Sequence, residues 1–553
     1  MTNKEIARAF QLLGEIMELH EADPFKVRSY QNAYIQLRKL DTPLEGMPEE
    51  AIGQIKGVGK AIAGKIHELL QTGTMATLER YKAVTPQGIQ EMLQVKGFGP
   101  KKVRAVWKGL GVETIGELLY AINENRLVEL KGFGLKTQEA LCKQLEYYQA
   151  SRGLFLYAAA EQEATVLLST LAAHLPGMRV ESTGAYRRKS PVLDAIDILI
   201  GGGERLLPEM LEGPLTGVVQ VPDGGFSGAS PAGLPVRMQV CPQHQFGTGQ
   251  FRLSAAPDFL EAFQQSFPAV LNNNLAEEGE AFEKAGLPFI APELREAAWP
   301  LRSALRGELP VLIEESDIYG VIHAHSTWSD GLHTLREMAT ACIEAGFTYL
   351  LISDHSKSAF YANGLSEARI ALQFAEIDAL NLELAPFRIF KGIECDILND
   401  GTLDYPDEIL AGFDCVIASV HSNLKMDMEK ATARLIRAVE HPSTRILGHP
   451  TGRLLLSRPG YPVDHHKVID ACIANGVVLE LNANPYRLDL DWQWLPYALE
   501  RGAMISVNPD AHSIGGITDI RYGIFAARKG GLSKASCLNA KDAAGFRAWI
   551  GER

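Results

Sequence analysis

From Tyr319 onward the chain carries seven short apolar, β-branched runs: YGVIHAH, YLLISDH, FRIFKGIECD, CVIASVHS, TRILGHP, VVLELNAN and MISVNPDAH. Helical text separates them, and this alternation predicts a parallel β/α architecture, here a distorted β/α barrel over residues 318–553. The first 150 residues follow another rhythm, short helices joined by glycine-containing turns. Three turns repeat one form: Ile55-Lys56-Gly57-Val58-Gly59, Val95-Lys96-Gly97-Phe98-Gly99 and Leu130-Lys131-Gly132-Phe133-Gly134. Each opens a further helix (KAIAGKIHELL, PKKVRAVWKGL, LKTQEALCKQL), which predicts an all-α helix-hairpin-helix region. Residues 151–317 mix helical with strand-like text around a Pro/Gly/Ser loop at 222–233, the mark of an α+β unit. The expected domains are 1–85, 86–150, 151–245, 246–317 and 318–553.

At 553 residues the chain is too long for a single core. Its seven cysteines are scattered singly, with no CxxC pair, so neither a disulfide framework nor a zinc ribbon is indicated. The N-terminus is amphipathic and acidic, unlike a signal peptide, and no apolar run is long enough to span a bilayer. A soluble, cytoplasmic monomer with no membrane partner is expected. The net charge of −13 is unevenly spread: residues 1–150 hold 20 Lys and Arg against 18 Asp and Glu, leaving 34 against 49 for the rest. Such a balance repels a polyanion at long range, so any contact with one must come from local devices.

The glycine turns are such a device. Gly57, Gly59, Gly97, Gly99, Gly132 and Gly134 would let backbone N–H groups at the next helix start approach a phosphate closely. Lys60, Lys101, Lys102 and Lys136 follow them. The same glycines would also serve as ordinary helix caps. Three copies, the second followed by Lys101, Lys102 and Arg104, favour sequence-independent binding to the DNA backbone.

Six of the seven C-terminal runs end in, or just before, a side chain able to hold a metal. The candidates are His323, His325, Asp330, His355, Glu394, His421, His449, Asp510 and His512. Strand ends in a β/α barrel converge on one mouth. His323 and His325 are two apart, as are Asp510 and His512, which places each pair on one strand face. Mixed His, Asp and Glu without thiolates suits Zn²⁺, Mn²⁺ or Fe rather than a structural zinc. Glu394 is the carboxylate best placed to bridge two to three divalent ions acting on a phosphoester. His333, His441, His465 and His466 lie in helical or loop text and are expected to be structural.

HAHSTWSDG, SDHS, GIECD, SVHS, GHP and NPDAH resemble, in order, the motifs of the polymerase-and-histidinol-phosphatase (PHP) domain. DPFKVRSYQNAY with KGVGKAIAGKI resembles the lyase domain of family X DNA polymerases, GAYRRKSPVLDAIDILI resembles their nucleotidyltransferase-like palm, and IAPELRE the end of their thumb. The whole chain thus resembles bacterial family X polymerases with a C-terminal nuclease. The resemblance implies DNA repair, on gapped, nicked or 3′-ended DNA, by gap filling and a metal-dependent 3′–5′ exonuclease. Residues 86–150 would match the fingers, and Lys65 the Schiff-base lysine of the lyase domain, or else a phosphate contact.

The palm departs from that pattern. Where the family holds two Mg²⁺ ions with three aspartates, the first position is Ala195, the second is Asp197 and the third is Arg237. Asp194 is near, but a separation of three would point it to the opposite strand face from Asp197 unless a bulge intervenes. The Gly-Ser that grips a nucleotide triphosphate is here Gly184-Ala185. A palm without polymerase activity is therefore expected. Arg187, Arg453 and Lys357 are candidates to hold substrate phosphate, or are exposed charges. The rival expectations are an active gap-filling polymerase, a small-molecule phosphatase and a non-catalytic DNA-binding scaffold.

Overall fold

The computed structural model describes residues 1–551 except 39, 41, 56, 57, 96, 151, 152 and 204. Two compact units result, 1–148 and 149–553. Gly57, Lys56 and Lys96 of the repeated turns lie outside the described residues.

The first unit is helical. Its amphipathic opening helix, Asn3–Leu19, starts on a Thr2–Glu5 capping box and buries Ile6, Phe10, Leu13 and Ile16. The three glycine turns share one hydrogen-bond pattern. Val58, Phe98 and Phe133 donate their N–H back to Ile55, Val95 and Leu130, at 2.9–3.0 Å. These three apolar side chains are buried, whereas Gly59, Gly99 and Gly134 lead into the helices Lys60–Thr72, Pro100–Leu110 and Leu135–Ala150. The third turn differs in being preceded by a 3₁₀ turn, Arg126–Glu129, entered through Asn125 at φ 56°. Asparagine tolerates that region, and the Asn125 side chain accepts a bond from Gln138 at 3.0 Å.

In the second unit the helix Tyr157–His174 precedes a five-stranded sheet: β1 (Arg179–Ser182), β2 (Ile196–Gly201), β3 (Thr216–Gln220), β4 (Phe226–Ala229) and β5 (Pro235–Cys241). The order is β1-β2-β5-β4-β3, with β2 and β5 parallel and the other pairs antiparallel. Helices Phe246–Ser254, Pro257–Ser266, Gly279–Ala285 and Trp299–Leu305 follow, built on a phenylalanine cluster of Phe251, Phe259, Phe263 and Phe282.

All seven apolar runs of the C-terminal region form strands: β6 (Gly320–Ala324), β7 (Tyr349–Ile352), β8 (Arg388–Asp396), β9 (Cys415–Ser419), β10 (Thr444–Leu447), β11 (Val478–Asn482) and β12 (Ile505–Asn508). They pair in chain order, all parallel. A bridge between Ala324 and Ala511 brings the first and last together, so the barrel nearly closes. Its interior is filled by Ile322, Tyr349, Leu351, Phe390, Ile417 and Phe546, which leaves the mouth at the strand ends as the place for chemistry. No helix among the described residues is long and apolar enough to cross a membrane.

Candidate metal centre

The barrel mouth brings all nine candidate ligands into one buried cluster. Their donor atoms fall into four overlapping groups: His325, Asp330, His355 and His512; His323, Glu394 and His449; His323, His325 and Asp510; and His355, Glu394 and His421. Glu394 is central. Its Oε1 lies 2.9 Å from His449 Nε2, 3.0 Å from His421 Nε2 and 3.3 Å from His323 Nε2. Its Oε2 lies 2.9 Å from His355 Nδ1.

Strand alternation is not what gathers the paired residues. The register between β6 and β7 shifts at His323, which has φ 64°. His323 is thus the extra residue of a bulge that re-aims its side chain, and His325 lies beyond the strand end. Asp510, at φ 53°, and His512 likewise lie past the end of β12. Left-handed backbone at His323, His449 and Asp510 costs about 1–3 kcal/mol each and concentrates at functional sites.

Outer partners fix the rings. Glu480, fully buried in β11, binds His323 Nδ1 at 2.7 Å and the His449 N–H at 3.0 Å. Asp396 binds His421 Nδ1 at 2.5 Å, and His512 Nδ1 meets the Asp510 carbonyl at 3.0 Å. Engaging Nδ1 leaves Nε2 of each ring turned to the cluster. Asp354 braces the loop that carries Asp330, accepting bonds from Ser326, Ser329 and Gln373. Sequence reasoning did not single out Glu480, Asp396 or Asp354. For Glu480 the signal was present, a lone carboxylate inside an otherwise apolar run.

Charge in the cluster is mutually arranged. Burial opposes ionisation of Glu394, but His421, His323 and His355 outweigh it and hold its carboxyl well below the usual range. Asp510 is depressed in the same way, burial being outweighed chiefly by His323 and His325. Burial with neighbouring His512 and His355 drives His325 down to about 3, so it is a neutral imidazole with a lone pair to give.

The donor set fits divalent ions. His323 Nε2, His325 Nδ1, Asp330 Oδ2 and His449 Nδ1 are buried without a hydrogen-bond partner. Orphaned polar atoms are costly in a protein interior, and several in one pocket are what cation coordination would satisfy. The donors are imidazole and carboxylate only, so ion binding here is of the borderline-to-hard type.

The palm carboxylates do not fit Mg²⁺ in this way. Asp197 in β2 pairs directly with Arg237 in the parallel β5. Arg237 donates to Asp197 at 2.7 and 3.1 Å and to Asp194 at 2.9 Å twice. The expectation that Asp194 faces away from Asp197 is corrected here. Asp194 lies in a bend before β2 begins, so strand alternation does not govern it. A guanidinium occupies the space between the two carboxylates, and the Asp197 hydrogen bond above all raises its pKa further, so the site keeps a fixed cation. Gly184, at φ 60°, sits against Asp197, and a Cβ there would collide with that carboxylate.

The other candidates are placed as follows. Lys65, half-buried in the helix Lys60–Thr72, donates to Thr77 at 2.6 Å. Arg187 forms a two-pronged bond to Glu278 at 2.8 and 2.7 Å and also reaches Ser254. Arg453 binds Asp491 and the carbonyls of Arg487 and Leu488. Lys357 pairs with Glu367 at 2.8 Å. Lys60, Lys101 and Lys136 are exposed, and Lys102 is partly so. His465 stacks on Trp494 and His466 packs edge-on against Tyr497, away from the cluster.

Comparison with known proteins matches residues 1–75 to a helix-hairpin-helix domain and residues 89–146 to a SAM-like helix-hairpin-helix tandem. The chain is similar to the DNA polymerase/3′-5′ exonuclease PolX of Bacillus subtilis (strain 168). They are 33% identical over 571 aligned positions, which cover 100% of this chain and 99% of that one. A Probable phosphatase of Thermoanaerobacter sp. (strain X514) is 26% identical over 228 residues, 39% of this chain and 88% of its own. A Probable phosphatase of Acetivibrio thermocellus is 29% identical over 168 residues, 30% of this chain and 65% of its own.

Proposed function

The chain belongs to the family X DNA polymerases of the PolX type, and we propose that it works there as a metal-dependent 3′–5′ exonuclease or phosphodiesterase on DNA. The barrel is the catalytic domain in this reading, and the palm does not polymerise. The observation that carries it is the contrast between nine converging donors with orphaned atoms at the barrel mouth and an arginine seated between the palm carboxylates.

The nine residues would hold two to three ions, Mn²⁺ or Zn²⁺, with Fe also compatible. Such ions supply Lewis-acid polarisation of the phosphodiester and lower the pKa of water. The chain's own residues set the geometry. Glu394, within reach of four imidazoles, would be the carboxylate placed to bridge such ions. Glu480 and Asp396 hold the tautomers of His323 and His421. Burial of the whole cluster strengthens each of these interactions.

In this reading the glycine turns hold the DNA backbone. A Cβ built at Gly59, Gly97, Gly99, Gly132 or Gly134 meets nothing within 4 Å, so the backbone there is open to an approaching phosphate. Lys60, Lys101, Lys102 and Lys136 add charge that is sequence-independent and salt-sensitive. The substrate on this reading is a gapped, nicked or 3′-ended duplex in a repair setting, handled by a monomer in the cytoplasm. Convergence of Asp194 and Asp197 on one point favours a second reading, gap filling with Mg²⁺ at the palm once Arg237 is displaced.

Incubation of 5′-labelled gapped duplex with Mn²⁺, with and without nucleotides, separates the two. A descending ladder that His323→Ala abolishes supports the exonuclease. An ascending ladder that Asp197→Ala abolishes and His323→Ala spares would overturn it.

A further inference from the structure

Directly after His355 the chain leaves the barrel mouth and returns to it. Ser356 bridges Leu365, and the Leu365 N–H donates to the His355 carbonyl at 2.8 Å. The tip is one 3₁₀ turn, Phe360–Ala362. The loop is firmly held. Gly364 donates to the Ala359 carbonyl at 3.1 Å, Arg369 grips the Asn363 carbonyl at 2.7 Å, and a Cβ at Gly364 would run into the Ser356 carbonyl. Ser358 donates to Asp396 at 2.8 Å, the same carboxylate that orients His421. The loop is thus tied to two candidate ligands.

This fixed loop presents two aromatic rings. Phe360 is 84% exposed. The Tyr361 ring lies 6.4 Å from the His355 ring and within electrostatic reach of His421, with 36% of the residue exposed. A single exposed phenylalanine means little by itself. Here its chain neighbour Tyr361 places a second ring at the edge of the cluster, and the loop that carries both is held at its base and tip. Exposed aromatic rings beside the cluster suit a ligand with a flat face joined to a phosphodiester. Nucleobases have one whatever their sequence, and aromatic side chains stack on them.

We infer that Phe360 and Tyr361 form a nucleobase subsite, on which the 3′-terminal base of a DNA strand stacks while its phosphodiester lies over the metal-ligand cluster. The inference rests on the exonuclease reading for its substrate. It sets a DNA-processing mouth apart from one serving small phosphate esters that lack a base.

The test uses the full chain with Mn²⁺ and an oligonucleotide bearing 3′-terminal 2-aminopurine behind a phosphorothioate linkage. Stacking quenches the probe. Phe360→Ala and Tyr361→Ala should each lose most of the quench and raise Kd about tenfold, whereas Tyr361→Phe retains both. Leu382→Ala, which removes another exposed apolar side chain (86% exposed) on the helix Glu367–Glu383, serves as the control and should bind like the parent. Equal quench and affinity in the parent and both alanine variants would overturn the subsite, even with DNA cleavage intact. A parent that quenches the probe yet cleaves no unmodified DNA would overturn the exonuclease reading and leave the subsite standing.

Discussion

Two places in the second unit gather carboxylates, and they balance that charge with different partners. At the barrel mouth Asp330, Glu394 and Asp510 meet six histidines, and several donor atoms stay unsatisfied. In the palm Asp194 and Asp197 meet Arg237, and four hydrogen bonds close the arrangement. An imidazole can shed its proton and offer a lone pair, while a guanidinium does neither at any accessible pH. The first site is therefore built to receive cations and the second already contains one. Histidine against arginine beside the carboxylates separates a coordination site from a salt-bridge clasp.

The largest effect that could break this contrast comes from removing a ligand. His323→Ala or Glu394→Gln should cut DNA hydrolysis by more than the roughly 10–100-fold typical of outer-partner losses, and chelation should do the same. Asp197→Ala should leave hydrolysis within about twofold, since on this account the palm carboxylates take no part. Hydrolysis of labelled duplex by the three variants, side by side, reads this directly.

Glu480→Gln comes next. It keeps the shape of the side chain but replaces the carboxylate at His323 Nδ1 with an amide, and metal affinity should fall about 10–100-fold by competition with a chelating dye. Affinity unchanged by this substitution would mean that Glu480 does not orient the ring. For DNA binding, Lys101→Ala with Lys102→Ala should lower the slope of log affinity against log salt by about 2, if each lysine neutralises one phosphate. A uniform loss of affinity at an unchanged slope would point to damage of the turn instead.

The smallest effect is expected at the palm clasp. Arg237 and Asp194 are each about half exposed, at 51% and 54%, so solvent screens the pair and Arg237→Ala should change stability by only about 0–1 kcal/mol in denaturant melts. The informative readout is cation binding. The variant frees two carboxylates and should show weak Mg²⁺ or Mn²⁺ binding that the parent palm lacks. Tight binding at the parent palm would erase the difference between the two sites.

Much of this was legible beforehand because six of the seven barrel strands are apolar runs that end at or just before a metal-capable side chain. Period and punctuation located the seven strands, and their ends supplied the nine candidates. What the spacing could not show was the route. His323 reaches the cluster through a bulge with left-handed backbone, where two-residue alternation had suggested a regular strand. Asp194 meets Arg237 because it precedes its strand. Glu480 stayed hidden since its run supplies an orienting partner and no ligand candidate. The cations Arg187, Arg453 and Lys357 looked available for phosphate, yet each has an acidic partner, and for Arg187 and Arg453 that partner is distant in the chain: Glu278 and Asp491. Pairings of that kind leave no local pattern in a sequence.

The most direct measurement is anomalous diffraction from crystals of the full chain soaked in Mn²⁺. Two to three ions among His323, His325, Asp330, His355, Glu394, His421, His449, Asp510 and His512, with none between Asp194 and Asp197, is the predicted result. An empty barrel mouth, or an ion in the palm with Arg237 turned away, would contradict it.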